Sequence, residues 1–99
     1  MDRQVCLFLV YQRENNDYDT YDSAVVAAYT IDEAKDIHPS NNHEESVTQM
    51  TAMAKDDTDG YMYELSSWAE IQHIKADYIG IADIHITAGE IICSSFNAG

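Results

Sequence analysis

Apolar residues in this 99-residue chain gather at its two ends, and polar residues fill the middle. Val5-Cys6-Leu7-Phe8-Leu9-Val10-Tyr11 is a continuous apolar run, short and partly β-branched, which predicts a central strand covered on both faces or nearly so. A polar stretch from Glu14 to Asp22 follows. Ala24-Val25-Val26-Ala27-Ala28-Tyr29 then predicts a second strand, antiparallel to the first through a long hairpin loop. Thr30-Ile31-Asp32-Glu33 has the form of a capping box, in which the Thr hydroxyl takes the N3 amide and the Glu carboxylate returns to the N-cap amide. A helix is therefore expected to start at Ile31 and to end near His38, ahead of Pro39.

The middle of the chain carries a weaker signal. Asn42 with Glu45 suits a second helix cap, and Val47, Met50 and Ala54 fall at helical spacing. The stripe is thin, so that helix needs packing against something else to hold it. Asp56 to Gly60 terminates it, and Tyr61 to Trp68 fits either a short strand or a turn. β character returns from Ile71, through Ile74, Tyr78, Ile79, Ile81 and Ile84, with Gly80 marking a bulge. Thr87-Ala88-Gly89 reads as a turn and Glu90 to Phe96 as a last strand. The expected fold is a single α+β domain over residues 1–99: a three- to four-stranded, mainly antiparallel sheet with one or two helices packed on one face.

Composition supports a folded chain. Apolar content of 45% is ordinary for a globule, and a domain of this length hides roughly 60 to 70% of the surface its unfolded chain exposes. Charge changes the picture more. Eighteen Asp and Glu stand against five Lys and Arg, a net charge of −13, which repels nucleic acid and anionic membrane and draws in basic protein surfaces. The apolar run at Val5 to Val10 is too short to span a bilayer and lacks a small-residue cleavage site, so a cytoplasmic location is expected. Cys6 and Cys93 both fall in apolar, strand-like segments, where buried, reduced thiols are expected.

No cofactor or catalytic motif emerges from the residues capable of chemistry. Asp57-Thr58-Asp59-Gly60 resembles the middle of an EF-hand loop, but with Gly60 at the sixth loop position, Lys55 and Ser66 fall on the first and twelfth, where carboxylates are required. His38, His43, His73 and His85 lack metal-ligand spacing. Ser66-Ser67 and Ser94-Ser95 sit in no nucleophile elbow, and there is no phosphate-binding glycine loop. The chain is therefore not expected to be an enzyme, and no cofactor and no metal are expected.

The acids do cluster around tyrosines. Asp17-Tyr18-Asp19-Thr20-Tyr21-Asp22 and Asp56-Asp57-Thr58-Asp59-Gly60-Tyr61-Met62-Tyr63-Glu64 combine carboxylates with rigid amphipathic rings. Tyrosine recurs at binding hot spots, and carboxylates beside it steer a basic partner and pair with Arg. In an extended segment, Asp17 and Asp19 would stand about 6 to 7 Å apart on one face, a row of the kind that a phosphate-reading protein could accept. The candidate partner-binding residues are Asp17, Tyr18, Asp19, Tyr21, Asp22, Asp57, Asp59, Tyr61 and Tyr63. Solubility is the plain alternative for the acids.

The run from Asp17 to Ala28, then Asp32-Glu33-Ala34, His38-Pro39, Trp68, Tyr78-Ile79-Gly80-Ile81-Ala82, and the closing Gly89 to Gly99 with its Ser-Ser-Phe-Asn-Ala-Gly end, resemble a group of small phage and prophage proteins of unassigned function. Residues 40–66 depart from that group as an insertion. The resemblance implies a viral origin. By analogy it suggests a cytoplasmic inhibitor of the anti-CRISPR or anti-restriction type, a carboxylate mimic of nucleic acid that blocks a basic, nucleic-acid-binding host protein or nucleoprotein complex. Two other classes stay open: a regulatory or structural phage protein that self-associates, with a homodimer as its simplest form, and a small enzyme whose site the sequence does not display.

Overall fold

In the computed structural model of the chain, residues 3–15, 19–40, 46–48 and 67–97 are described. Four strands form one antiparallel sheet: β1 (Cys6–Tyr11), β2 (Thr20–Ala28), β3 (Lys75–Ile81) and β4 (Ile91–Asn97). Their spatial order is β3-β1-β2-β4, so the apolar N-terminal run is central, as its composition predicts. β1 and β2 pair from Cys6 opposite Ala28 to Tyr11 opposite Ser23. Because β3 and β4 lie on opposite edges, residues 82–90 must cross the ends of β1 and β2. The Ala82 amide donates to the Val5 carbonyl (3.0 Å), and the Gly89 amide to the Ala27 carbonyl (2.7 Å), which fixes that crossing. Gly89 has φ of 101°, a conformation that a side chain would strain.

Register places Phe8 and Val10 of β1 against Val26 and Ala24 of β2, and all four are buried. Ala34, Val47, Trp68, Ala69 and Ile74 join them in one core cluster. Trp68 is wholly buried and is its largest member. The alternate residues Leu7, Leu9 and Val25 are half-buried, so β1 is fully covered only on the side of Phe8 and Val10.

Several boundaries differ from the sequence-based expectation. β2 begins at Thr20 rather than Ala24, because Tyr21 and Thr20 pair with Phe96 and Asn97 across a register shift at Asp22. The helix α1 (Ile31–Lys35) stops three residues before His38. There Asp36 leaves the helical path to bind the segment 46–48: its carbonyl accepts from the Val47 amide (3.0 Å), and its Oδ1 accepts from both the amide and the hydroxyl of Thr48 (2.7 Å each). Of the helix expected over 42–55, only residues 46–48 are described; Val47 is buried as its spacing predicts. From Ile71 the chain makes a 3-10 turn (Ile71–His73) before β3, and the bulge expected at Gly80 is present, with Leu7 facing Gly80 and Phe8 facing Tyr78. Ile84 is not in a strand but in the crossing segment, where it is 91% exposed.

Candidate functional site

The start of β2 and the end of β4 meet at one corner of the sheet, and chain segments far apart in sequence converge there. The Tyr21 ring packs against Phe96 (centroids 4.7 Å apart) and edge-on against His38 (6.1 Å). The Asn97 side-chain amide donates to Asp22 Oδ1 (2.8 Å), while the Asn97 carbonyl accepts from the Asp19 amide. The Tyr21 amide donates to the Ser67 carbonyl (2.8 Å), and Asn15 Nδ2 donates to the Trp68 carbonyl. His38 is buried, and its Nδ1 accepts from the Ser40 amide (3.1 Å). Segments around Asp19 to Asp22, His38, Trp68 and Phe96 to Asn97 are thus brought to one place.

Gln12 holds this corner from beneath. It follows Phe8 and Val10 at the two-residue spacing of the strand, is only 3% exposed, and satisfies its whole side chain locally. Its Oε1 accepts from the Glu14 and Asn15 amides (2.7 and 2.8 Å), and its Nε2 donates to the Asn15 and Tyr21 carbonyls (2.9 and 2.8 Å). A buried amide with every group paired acts as a clamp, because releasing it leaves backbone groups without partners. The loop that leads into the acidic tyrosine segment is thereby fixed to β2.

Three of the sequence-derived candidates are placed by this geometry. Asp19 is exposed, and its φ of 62° lies in the left-handed region that Asp tolerates better than most residues. At Asp19 itself, then, the chain is not extended. Tyr21 is half-buried, with its ring spent on Phe96 and His38. Asp22 is half-buried and holds Asn97. Asp17, Tyr18, Asp57, Asp59, Tyr61 and Tyr63 lie outside the described residues, as does the Asp57-to-Gly60 segment that resembles part of a calcium loop. Sequence reasoning missed Gln12 and Asn97; for Gln12 the signal was its phase with Phe8 and Val10, whereas Asn97 gave none.

A second concavity, of about 430 Å³, lies at the Tyr11 end of β1 and is lined by Tyr11, Gln12, Arg13, Glu14, His73 and Lys75. Its charges are mixed. His73 Nδ1 stands 3.6 Å from Glu14 Oε1, but both side chains are about half exposed, and such pairs contribute under about 1 kcal/mol. Among the described residues, no group of three or more His, Cys, Asp or Glu is arranged to hold a metal ion. Among them, too, no helix is long and apolar enough to cross a membrane. The thiols correct the expectation of burial: both are free, Cys6 is half-buried and Cys93 is exposed, because β4 is an edge strand.

Compared with family models, with curated proteins and with solved structures, the chain matches none.

Proposed function

We propose that this protein acts by binding rather than by catalysis, as a small acidic inhibitor of phage type that occupies a basic, nucleic-acid-binding surface of a host protein in the host cytoplasm. The observation that carries this reading is the charge: eighteen carboxylates against five Lys and Arg in 99 residues. Asp19 stands exposed at a corner braced by Gln12 and Asn97. A carboxylate on a braced backbone loses little conformational freedom on binding, which favours pairing with Arg or Lys of a partner. The acids supply encounter rate and orientation, and the tyrosines of the same segments supply contact area. In this reading α1 lies across one face of the sheet through Ala34, leaving the acidic corner open.

Tyr21 takes a different part from the one its sequence suggests. With its ring against Phe96 and His38, it shapes the corner, and the contact passes to Asp19, Asp17 and Tyr18. The test is competition by fluorescence anisotropy, with a labelled DNA duplex held by a purified CRISPR effector complex or restriction endonuclease. The expected result is stoichiometric displacement of the duplex that weakens as salt is raised, and slower association for Asp17→Asn combined with Asp19→Asn. Failure to displace the duplex from either class of host protein, or displacement indifferent to both salt and these substitutions, would sink the reading.

A further inference from the structure

The two edges of the sheet are built differently. β3 carries Lys75 and Asp77 within the strand, and its pairing with β1 shifts between Tyr78 and Gly80. Charges on an edge discourage another strand from adding to it. β4, the opposite edge, has no charged residue, no Pro and no Gly from Ile91 to Asn97. Ile92 through Phe96 are all exposed, with Ile92 at 43% and Phe96 at 45%. Its pairing with β2 shifts at Ile92 and again opposite Asp22, yet from Cys93 to Asn97 each of its residues has a partner on β2.

We infer that β4 is the interface through which two copies of this chain pair, antiparallel and edge to edge, about a two-fold axis at Ser94. The strand is chemically palindromic about that residue: apolar Ile92, small Cys93, Ser94 and Ser95, apolar Phe96. Such a pattern suits a two-fold contact, in which residue i meets residue j and residue j meets residue i. With the axis at Ser94, Ile92 stands directly opposite Phe96 of the second copy, an aliphatic–aromatic pair of the kind that stabilises neighbouring strands. Cys93 then stands opposite Ser95. A slip of one residue sets Ile92 against Asn97 in one direction and against Ser95 in the other, so of these registers only the Ser94 axis gives Ile92 an apolar partner.

Charge selects a second copy as the occupant. Two molecules at −13 each repel, which favours contact through a strand that carries no carboxylate of its own, and of the two edges β4 is the one that carries none. A basic partner gains from the acids elsewhere and gains nothing here. The two kinds of association therefore respond to salt in opposite directions: screening strengthens pairing between like-charged copies and weakens the hold on a basic partner.

The test is sedimentation velocity on the full chain at concentrations up to about 1 mM, in about 50 and about 500 mM salt. The expected result is a monomer–dimer equilibrium that shifts toward dimer at the higher salt; monomer throughout overturns the inference. Ser94→Asp sets two carboxylates face to face on the axis and should weaken the dimer about tenfold or more, with buried emission from Trp68 reporting an intact fold; a dimer of parental strength from folded Ser94→Asp also overturns it. Ser95→Cys in a Cys6→Ala background does not depend on that variant's folding. Its new thiol faces Cys93 of the second copy at cross-strand distance, so mild oxidation should give a covalent dimer of doubled mass. A product that stays monomeric rejects the Ser94-centred pairing, whatever becomes of binding to a basic partner.

Discussion

At the scale of single residues, Gln12 does more for the candidate site than any carboxylate in it. Its two side-chain acceptor bonds and two donor bonds join β1, the loop through Asn15 and the backbone of Tyr21. Truncation to Ala would leave two amides and two carbonyls to find water from a site that is almost closed. We expect Gln12→Ala to cost about 2 kcal/mol or more, above the typical surface substitution and within the range for stranded buried polar groups. Chemical denaturation measures it, and a loss below about 0.5 kcal/mol would show that the corner does not depend on this clamp.

At the scale of elements, α1 is too short to stand on its own: five residues are barely more than one turn, and nucleation of a helix is unfavourable. It persists because Ala34 is buried in the core and because its N-terminus is capped. The Thr30 hydroxyl accepts from the Glu33 amide (3.2 Å), as the capping box predicts. The Glu33 carboxylate, however, reaches one residue further back than expected, accepting from the Tyr29 amide (3.2 Å). Arg3 accounts for the difference, since it pairs with the other carboxylate oxygen (2.9 Å) while its guanidinium lies 4.2 Å from the Tyr29 ring centre. Thr30→Ala should therefore cost about 1 kcal/mol, whereas Arg3→Ala, which removes an exposed ion pair, should cost less. Thermal melts of the two variants check the order; if Arg3→Ala proves the more damaging, the ion pair and its stacking, not the hydroxyl cap, set this helix.

At the scale of the whole molecule, like charges repel one another across the domain and oppose the compactness that burial favours. Ion pairs such as Arg3–Glu33 form locally, but with eighteen Asp and Glu against five Lys and Arg the net charge stays at −13 whatever pairs form. The screening length falls from about 30 Å at 0.01 M to about 8 Å at 0.15 M, from the dimension of a small domain to that of neighbouring side chains. Each kcal/mol of relief is worth roughly 4 to 8 °C in Tm for a domain of this size. We expect Tm to rise by several degrees between those two salt concentrations. Calorimetry settles it, and a flat or falling Tm would mean that the acids are spaced widely enough not to oppose folding.

The sequence by itself determined what depends on local pattern: the strand-rich ends, the central position of the Val5-to-Tyr11 run, the start of α1 at its cap, the bulge beside Gly80, the turn at Gly89 and the acidic character of the chain. Each of these is set by residues within a few positions of one another, where propensity and spacing act directly. Only the tertiary structure decided which strands became edges, and with that the exposure of Cys93 and the uncharged rim of β4. It also decided that Thr20 to Asp22 join β2, that Asp36 stops the helix early to hold Thr48, and that Tyr21 and Asp22 are spent on Phe96, His38 and Asn97. The reason is physical: these outcomes rest on partners 12 to 75 residues away, whose proximity comes from how the strands close on one another and from no pattern within any one segment.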